Sequence, residues 1–330
     1  MEALTARAIR AMTALRKPSV PWTLDKPYPQ PYYTFDPATR SWATKSSPTN
    51  ETTTTALALY TWNIDFMLPF ATERMRSALA HLNKLTQQLA PTEAPIIFLQ
   101  ECTLSDLDTI ASTPWVQANF HLTDIDTTNW ATSQYGTIAL MSKRLCITST
   151  FRVHYSQTRM DRDALLIDIT GACGTDSTKK IRLCNTHLES LALDPPLRPK
   201  QMQLVSTYML EDGIDAALVA GDFNAIQPFD RTLHSENKLK DAYLELGGEE
   251  DSEGGYTWGQ QAARAQREQF GCSRMDKVLF TGSVEVRMFR RFGEGVLVEG
   301  EDERREIVQL GYEEPWVTDH LGVFVVVDVA

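Results

Sequence analysis

The sequence predicts an α/β fold built on mixed β-sheet, and three observations carry that prediction. Short apolar or alternating runs rich in β-formers recur from residue 56 to the end of the chain, and two amphipathic helical patterns lie between them. Several strand-like runs also follow one another with no helix between, which excludes a simple βαβ wind. At 330 residues the chain allows one large domain or two ordinary ones, and its 42% hydrophobic content with mixed charge is that of a soluble globular protein.

Residues 1–55 read as an appended arm and linker, partly ordered, with residues 56–330 as the principal domain. The stretch MEALTARAIRAMTALRK carries Leu4, Ala8, Ile9, Met12 and Leu15 at helical spacing with Arg7, Arg10, Arg16 and Lys17 between them. A Pro-rich aromatic stretch (KPSVPWTLDKPYPQPYY) and a polar SSPTNETTTT linker follow, a composition expected of a strap packed on the domain or a partly disordered tail. Its partner is left open. A mitochondrial presequence is the minority reading, weakened by Glu2.

Beyond the linker, the strand candidates in order are ALALYTW, PIIFLQ, YGTIALMS, ALLIDIT, KIRLCNTHL, AALVAGD, RMDKVLF and LGVFVVVDV. The helical patterns are ERMRSALAHLNKLTQQL, with Met75, Leu79, Leu82, Leu85 and Leu89 on one face, and LRPKQMQLVSTYML. No apolar stretch reaches the roughly 18 residues that span a bilayer, and the N-terminus lacks the apolar core of a secretory signal. An intracellular protein, nuclear or cytoplasmic, monomeric and away from membranes, is the expectation. The five cysteines form no C-x-x-C and no zinc spacing, so reduced thiols are the simplest reading. Net charge of −11 counts against a general nucleic-acid binder but not against an enzyme that handles one phosphate-bearing end with a bound cation.

The segment LVAGDFNAIQPFD is the informative one. An apolar run that reads as sheet interior stops at Gly221 and is followed by Asp222 and Asn224. Other strands end in the same manner. ALYTWNID ends in Asn63 and Asp65, IIFLQE in Gln100 and Glu101, and IRLCNTHLES in Asn185, His187 and Ser190; RMDKV carries Asp276, and PWVTDHLG places Asp319 and His320 before the last strand. Any one such residue is most simply a turn former, but six strands with the same habit point to one crevice at the strand ends.

The residue types narrow the chemistry. Carboxylates and amides are hard oxygen donors suited to Mg²⁺ or Mn²⁺, and the histidines fall outside any zinc pattern, which favours Mg²⁺. One or two carboxylates on a cation, two histidines, an amide and a spare carboxylate suit attack of water on a phosphate ester. Ser190 lacks a G-x-S-x-G elbow, and Cys102 and Cys184 read as core residues.

In this order, WNID, LQE, NTHLES, GDFN, RMD and TDH resemble the signature blocks of the endonuclease/exonuclease/phosphatase superfamily over about residues 56–330. The resemblance implies a four-layer α/β sandwich of two facing mixed sheets with outer helices, and a Mg²⁺-dependent phosphodiesterase. WNID, the complete NTHLES block, MDRDALLIDI and YTW at 256–258 are similar to the 5′-tyrosyl-DNA phosphodiesterase family, which acts on DNA 5′ ends bearing tyrosyl adducts of topoisomerase II. GDFNA and DHLG are instead similar to the deadenylase and nucleotide-phosphatase branch, and Ile226 stands where the tyrosyl-DNA enzymes carry arginine.

Carried onto this chain, the resemblance implies that Glu101 ligates the cation, with Asn63 and Asp319 supporting the metal and phosphate. Asp222 would be the general base and Asn224 would position the water. His187 and His320 would donate to nonbridging oxygens, Asp319 or Asp276 would fix a histidine, Ser190 and Asn185 would contact the substrate, and Trp258 would stack beside it. Competing readings are a hydrolase of RNA 3′ ends, nucleotide phosphates or abasic DNA on the same fold, and a catalytically silent binding module. The polar set argues against silence, because so many neighbouring carboxylates without a cation are costly.

Overall fold

A computed structural model of the chain describes residues 17–45, 54–170 and 179–329. The helix expected over residues 1–17 lies outside them except for Lys17, as does nearly all of the 46–55 linker. Fifteen described strands, numbered here in chain order, form two sheets. The first sheet has the order β1 (Pro27–Pro29), β8 (Cys146–His154), β9 (Asp163–Thr170), β10 (Lys180–His187), β11 (Ala216–Asp222), β13 (Asp276–Gly282), β12 (Lys240–Asp241), and the second has β14 (Val284–Phe292), β15 (Gly322–Val329), β4 (Ala56–Asn63), β5 (Glu93–Cys102), β7 (Gly136–Ser142), β6 (Phe120–Leu122), β2 (Tyr32–Asp36), β3 (Ser41–Lys45).

The apolar runs found in the sequence become the central strands. They are β4 (Ala56–Asn63), β5 (Glu93–Cys102), β7 (Gly136–Ser142), β9 (Asp163–Thr170), β10 (Lys180–His187), β11 (Ala216–Asp222), β13 (Asp276–Gly282) and β15 (Gly322–Val329). Every residue of β4 and of β11 is buried on both faces, as a strand covered from two sides must be. Alternate side chains of the two sheets meet in one core that includes Leu57, Leu59, Ile96, Phe98, Leu183, Leu218 and Val325.

The outer faces carry the other two layers. Helix Ala71–Thr86 buries Met75, Ala78, Leu79 and Leu82 against the outside of the second sheet. Helix Arg198–Met209 buries Met202, Val205 and Met209 against the outside of the first. Helix, sheet, sheet and helix are the four layers of the sandwich expected from the motifs.

Part of the stretch read as an arm is built into the sheets, so the expected boundary at residue 55/56 does not separate residues 27–45 from the domain. Strand β1 (Pro27–Pro29) pairs with β8 (Cys146–His154) at the edge of the first sheet. Strands β2 (Tyr32–Asp36) and β3 (Ser41–Lys45) extend the second sheet through β6 (Phe120–Leu122). Prolines and alternating aromatics suit edge strands, where one side of the ladder needs no donor. Strand β12 (Lys240–Asp241) and the charge-rich β14 (Val284–Phe292) close the opposite edges. Cys102, Cys146, Cys184 and Cys272 are free thiols, and Cys173 lies outside the described residues.

Candidate active site

Strand register builds the centre. β10 and β11 are parallel with His187 opposite Asp222, and β11 and β13 are antiparallel with Asp222 opposite Asp276. Three polar residues thus lie in a row across the end of the first sheet. Gly221 has φ 146°, and a Cβ there would stand 1.8 Å from Thr186 O, so this crossing of β10 and β11 requires glycine. The apolar run stops at glycine because the position opposite Thr186, one residue before Asp222, leaves no room for a side chain.

The facing sheet delivers its residues by a different device. β4 and β5 are parallel with Asn63 opposite Gln100. The pairing of β5 with β7 then shifts between Leu99 and Cys102, and Glu101 takes φ 59° inside that irregularity. A bulge of this kind re-aims a side chain, and the Glu101 carboxylate accepts the Phe66 amide at 3.1 Å and lies 3.7 Å from His187 Nε2.

Asp222 is the hub. Its Oδ2 accepts from Asn63 Nδ2 at 2.9 Å and lies 3.2 Å from His187 Nε2 and 3.8 Å from His320 Nε2; its Oδ1 accepts the Asn224 amide at 2.8 Å. On the far side, His320 Nδ1 is 2.8 Å from Asp276 Oδ2. Asp319 accepts from Trp258 Nε1 at 2.7 Å and points its other oxygen to within 3.9 Å of His320 Nε2. All of the catalytic residues expected from the sequence therefore meet in one crevice, together with Glu101 and Asn63.

The two histidines are held in different states. Burial and the neighbouring Arg162 push His187 below its ordinary value, and Arg162 Nη1 donates to its Nδ1 at 2.7 Å. Neutral His187 therefore carries its proton on Nε2, facing Asp222 and Glu101. His320 is buried too, yet Asp276, Asp319 and Asp222 hold it well above the ordinary histidine range, so it is an imidazolium at neutral pH. Burial also works against charge on Asp222, but the Nε2–H of neutral His187 and the cationic His320 hold its carboxyl far below the usual range. Asp276 moves the other way, with burial pushing it up to about 6 against the pull of His320.

A divalent cation fits the remaining groups. Asp65 is pushed up to about 7 by burial and by Asp319 and Glu101, and Asp319 is raised by burial and, among its charged neighbours, by Glu101 and Asp222. These hard oxygen donors repel one another where no cation sits between them. Among the described residues no group of three or more acidic, histidine or cysteine side chains is already arranged to hold a metal ion.

Several expected roles change. Asn185 is fully buried between the sheets, where Nδ2 donates to Leu99 O and Ile138 O and Oδ1 accepts from Gln100, so it ties the sheets together beneath the crevice and does not reach substrate. Trp258 is 9% exposed and spends its indole N–H on Asp319, which makes it a support for that carboxylate rather than an open stacking face. The Asn224 side chain donates from Nδ2 to Leu188 O at 3.0 Å, and the Asn63 side chain donates to Asp222 from Nδ2 and accepts the Asp65 N–H on Oδ1. Ser190 sits at the mouth and accepts from Arg162 at 3.0 Å.

Arg162 is the residue that the strand-end argument misses. It precedes β9 in a polar loop, and its guanidinium reaches His187, Ser190 and, at 4.0 Å, Glu101, while lying over the Tyr135 ring. Glu189 of the NTHLES block holds that loop by accepting from Thr158 Oγ1 at 2.6 Å and the Arg159 amide at 2.9 Å. The only sequence signal was its place inside MDRDALLIDI.

Comparison with known proteins supplies a family. The model of the Endonuclease/Exonuclease/phosphatase family matches residues 60–320. No curated protein matches the chain. The structure resembles D. rerio TDP2 complexed with single strand DNA product, at 18% identity and TM-score 0.61, covering 83% of this chain and 99% of that one. It also resembles truncated Caenorhabditis elegans TDP2, at 20% identity and TM-score 0.59 with coverage of 83% and 98%. The human Nocturnin catalytic domain with bound sulfate anion is similar at 16% identity and TM-score 0.57, with coverage of 83% and 95%. At such identities the likeness is one of fold.

Proposed function

The chain belongs to the Endonuclease/Exonuclease/phosphatase family as a metal-dependent phosphodiesterase, and from that premise we propose that it hydrolyses 5′-phosphotyrosyl bonds at DNA ends, in repair of trapped topoisomerase II adducts. The observation that carries this reading is that Asn63 of WNID, His187 and Ser190 of NTHLES, and Arg162 of MDRDALLIDI, the blocks resembling the tyrosyl-DNA enzymes, converge from the two facing sheets around Asp222.

Bound at Glu101, with Asp319 and Asn63 in support, Mg²⁺ (or Mn²⁺) would neutralise charge on the phosphate oxygens. The rest falls to the protein. Asp222 is an anion at any physiological pH; it orients the water and takes its proton as the new P–O bond forms, with Asn63 fixing Oδ2. The His187 Nε2–H and the His320 imidazolium donate to nonbridging oxygens. The bond to the tyrosine oxygen breaks, the tyrosine departs as a phenolate that takes up a proton from solvent, and a 5′-phosphate remains.

Ile226 favours a second reading. It is 40% exposed two residues beyond Asn224, and its amide donates to Asp230 Oδ2 at 3.1 Å, so the loop presents an aliphatic side chain where the tyrosyl-DNA enzymes carry arginine. Neither Arg231 nor Arg264 stands free to replace it, since Arg231 pairs with Asp251 at 3.0 Å and Arg264 faces Glu313 at 3.9 Å. GDFNA and DHLG accord with a hydrolase of RNA 3′ ends or nucleotide phosphates. Purified protein with Mg²⁺ assayed on tyrosyl-DNA, abasic DNA and oligo(A) separates the two readings: the first requires the highest kcat/KM on tyrosyl-DNA, and a wide preference for oligo(A) establishes the second.

A further inference from the structure

We propose that Phe66 is a stacking platform for the nucleobase next to the scissile phosphate. The proposal rests on the reading of the crevice as a site for DNA ends.

The loop after β4 is rigid. The Asp65 amide donates to Asn63 Oδ1 at 2.9 Å, the Met67 amide to Asp65 Oδ1 at 3.0 Å, and the Phe66 amide to Glu101 Oε2 at 3.1 Å. Asp65 takes φ 55° to make this turn. From below, the fully buried Arg74 donates to the carbonyls of Ile64, Asp65, Leu68 and Pro69, and also to Val317. A buried guanidinium spread over the carbonyls of one loop fixes its backbone.

What this rigid loop presents is apolar. Phe66 is half-buried and stacks on Tyr135 with centroids 4.2 Å apart and planes 26° apart, and Met67 is 73% exposed. Tyr135 lies under Arg162, so Phe66, Tyr135 and Arg162 form a continuous stack against the phosphate site. The Phe66 amide is bonded to Glu101 and Arg162 of the stack lies 4.0 Å from the same carboxylate, so a phosphate held at Glu101 borders this stack and the base of its nucleoside is the group offered to it. Every base has a π-face, and stacking on an aromatic side chain is worth about 1–3 kcal/mol per base, tolerant of sequence. For a chain of net charge −11, such a contact holds a nucleic-acid end without drawing on phosphate charge.

The test is equilibrium binding in Mg²⁺ of two short 5′-phosphorylated single-stranded oligonucleotides, one intact and one with an abasic terminal nucleotide. Wild type should bind the intact strand about tenfold more tightly. Phe66→Leu, which keeps the apolar volume, should lose that difference by weakening the intact strand alone, and Phe66→Tyr should retain it. Equal affinity of wild type for the two strands, or equal weakening of both by Phe66→Leu, overturns the platform. Absence of binding to either strand overturns it together with the DNA reading. Base-dependent binding without turnover of tyrosyl-DNA upholds the platform and removes only the phosphotyrosyl assignment.

Discussion

His320 Nδ1 lies 2.8 Å from Asp276 Oδ2, and the other ring nitrogen faces Asp222 and Asp319 at 3.8 and 3.9 Å. Asp276 is the largest charged neighbour raising His320, so the proton on His320 depends on it. A histidine whose value is raised acts as a cation below that value and loses the role as pH rises through it. In Asp276→Asn the loss should therefore begin at lower pH than in wild type, with kcat reduced about 10- to 100-fold at pH 8. The pH profile of kcat on a chromogenic phosphodiester gives the comparison, and an unmoved alkaline limb would remove Asp276 from this role.

Asp222→Asn keeps the shape of the hub but cannot accept a proton. A loss of about 10² to 10⁴ in kcat is expected, with about 10² to 10³ for His187→Ala and for His320→Ala. Thermal melts of the same proteins should show them folded. Near-normal turnover by Asp222→Asn would mean that another group orients the water.

The carboxylates around Glu101 make stability depend on metal and pH together. Asp65 is raised to about 7 in the folded protein against an ordinary value near 4, so between those values the native state binds the extra proton. Without metal, stability should therefore fall as pH rises from about 4 to 7. Asp65→Asn should raise the metal-free Tm at pH 8 by about 2 °C or more. Added Mg²⁺ should narrow the gap, and EDTA should abolish activity in both proteins. A wild-type Tm indifferent to Mg²⁺ at pH 8 would contradict the placement of the cation.

Ile226→Arg tests substrate choice. Asp230 accepts the Ile226 amide and also a bidentate pair of bonds from buried Arg198 at 2.8 Å each, so the loop should tolerate the change without moving. An arginine there adds a charge-assisted phosphate contact and should lower KM for tyrosyl-DNA by up to about tenfold, roughly 1.4 kcal/mol, with little change in kcat. Measurement of kcat/KM at two salt concentrations decides it. No gain on tyrosyl-DNA, with oligo(A) preferred by wild type, would favour the deadenylase-like reading.

Much of the centre was legible because its residues follow apolar runs. Asp222 after AALVAG, Asn63 after ALALYTW and His187 within IRLCNTHL are polar groups at the end of strands too apolar to be anything but interior. That His187 stands opposite Asp222 was not legible, since it depends on the pairing of β10 with β11 across the chain. Asn185 misled for a related reason. It shares a strand face with His187 but lies two residues, about 7 Å, deeper, where Gln100 of the opposite sheet covers it. Arg162 was hidden because a loop folded around Glu189 delivers it, and loops leave no periodic trace. Strands β1 to β3 were hidden because their prolines and scattered aromatics read as an arm until the sheet edges they cover are known.

The central step is attack of water on phosphorus in a tyrosyl-DNA bond. Cleavage of a 5′-phosphotyrosyl oligonucleotide by wild type with Mg²⁺ in ¹⁸O-water, under single turnover, reads bond and substrate at once. The predicted result is free tyrosine without label and one ¹⁸O in the new 5′-phosphate, with the rate depressed about 10² to 10⁴ in Asp222→Asn. Label in the tyrosine hydroxyl, or no release of tyrosine by an enzyme that shortens oligo(A) under the same conditions, would contradict it.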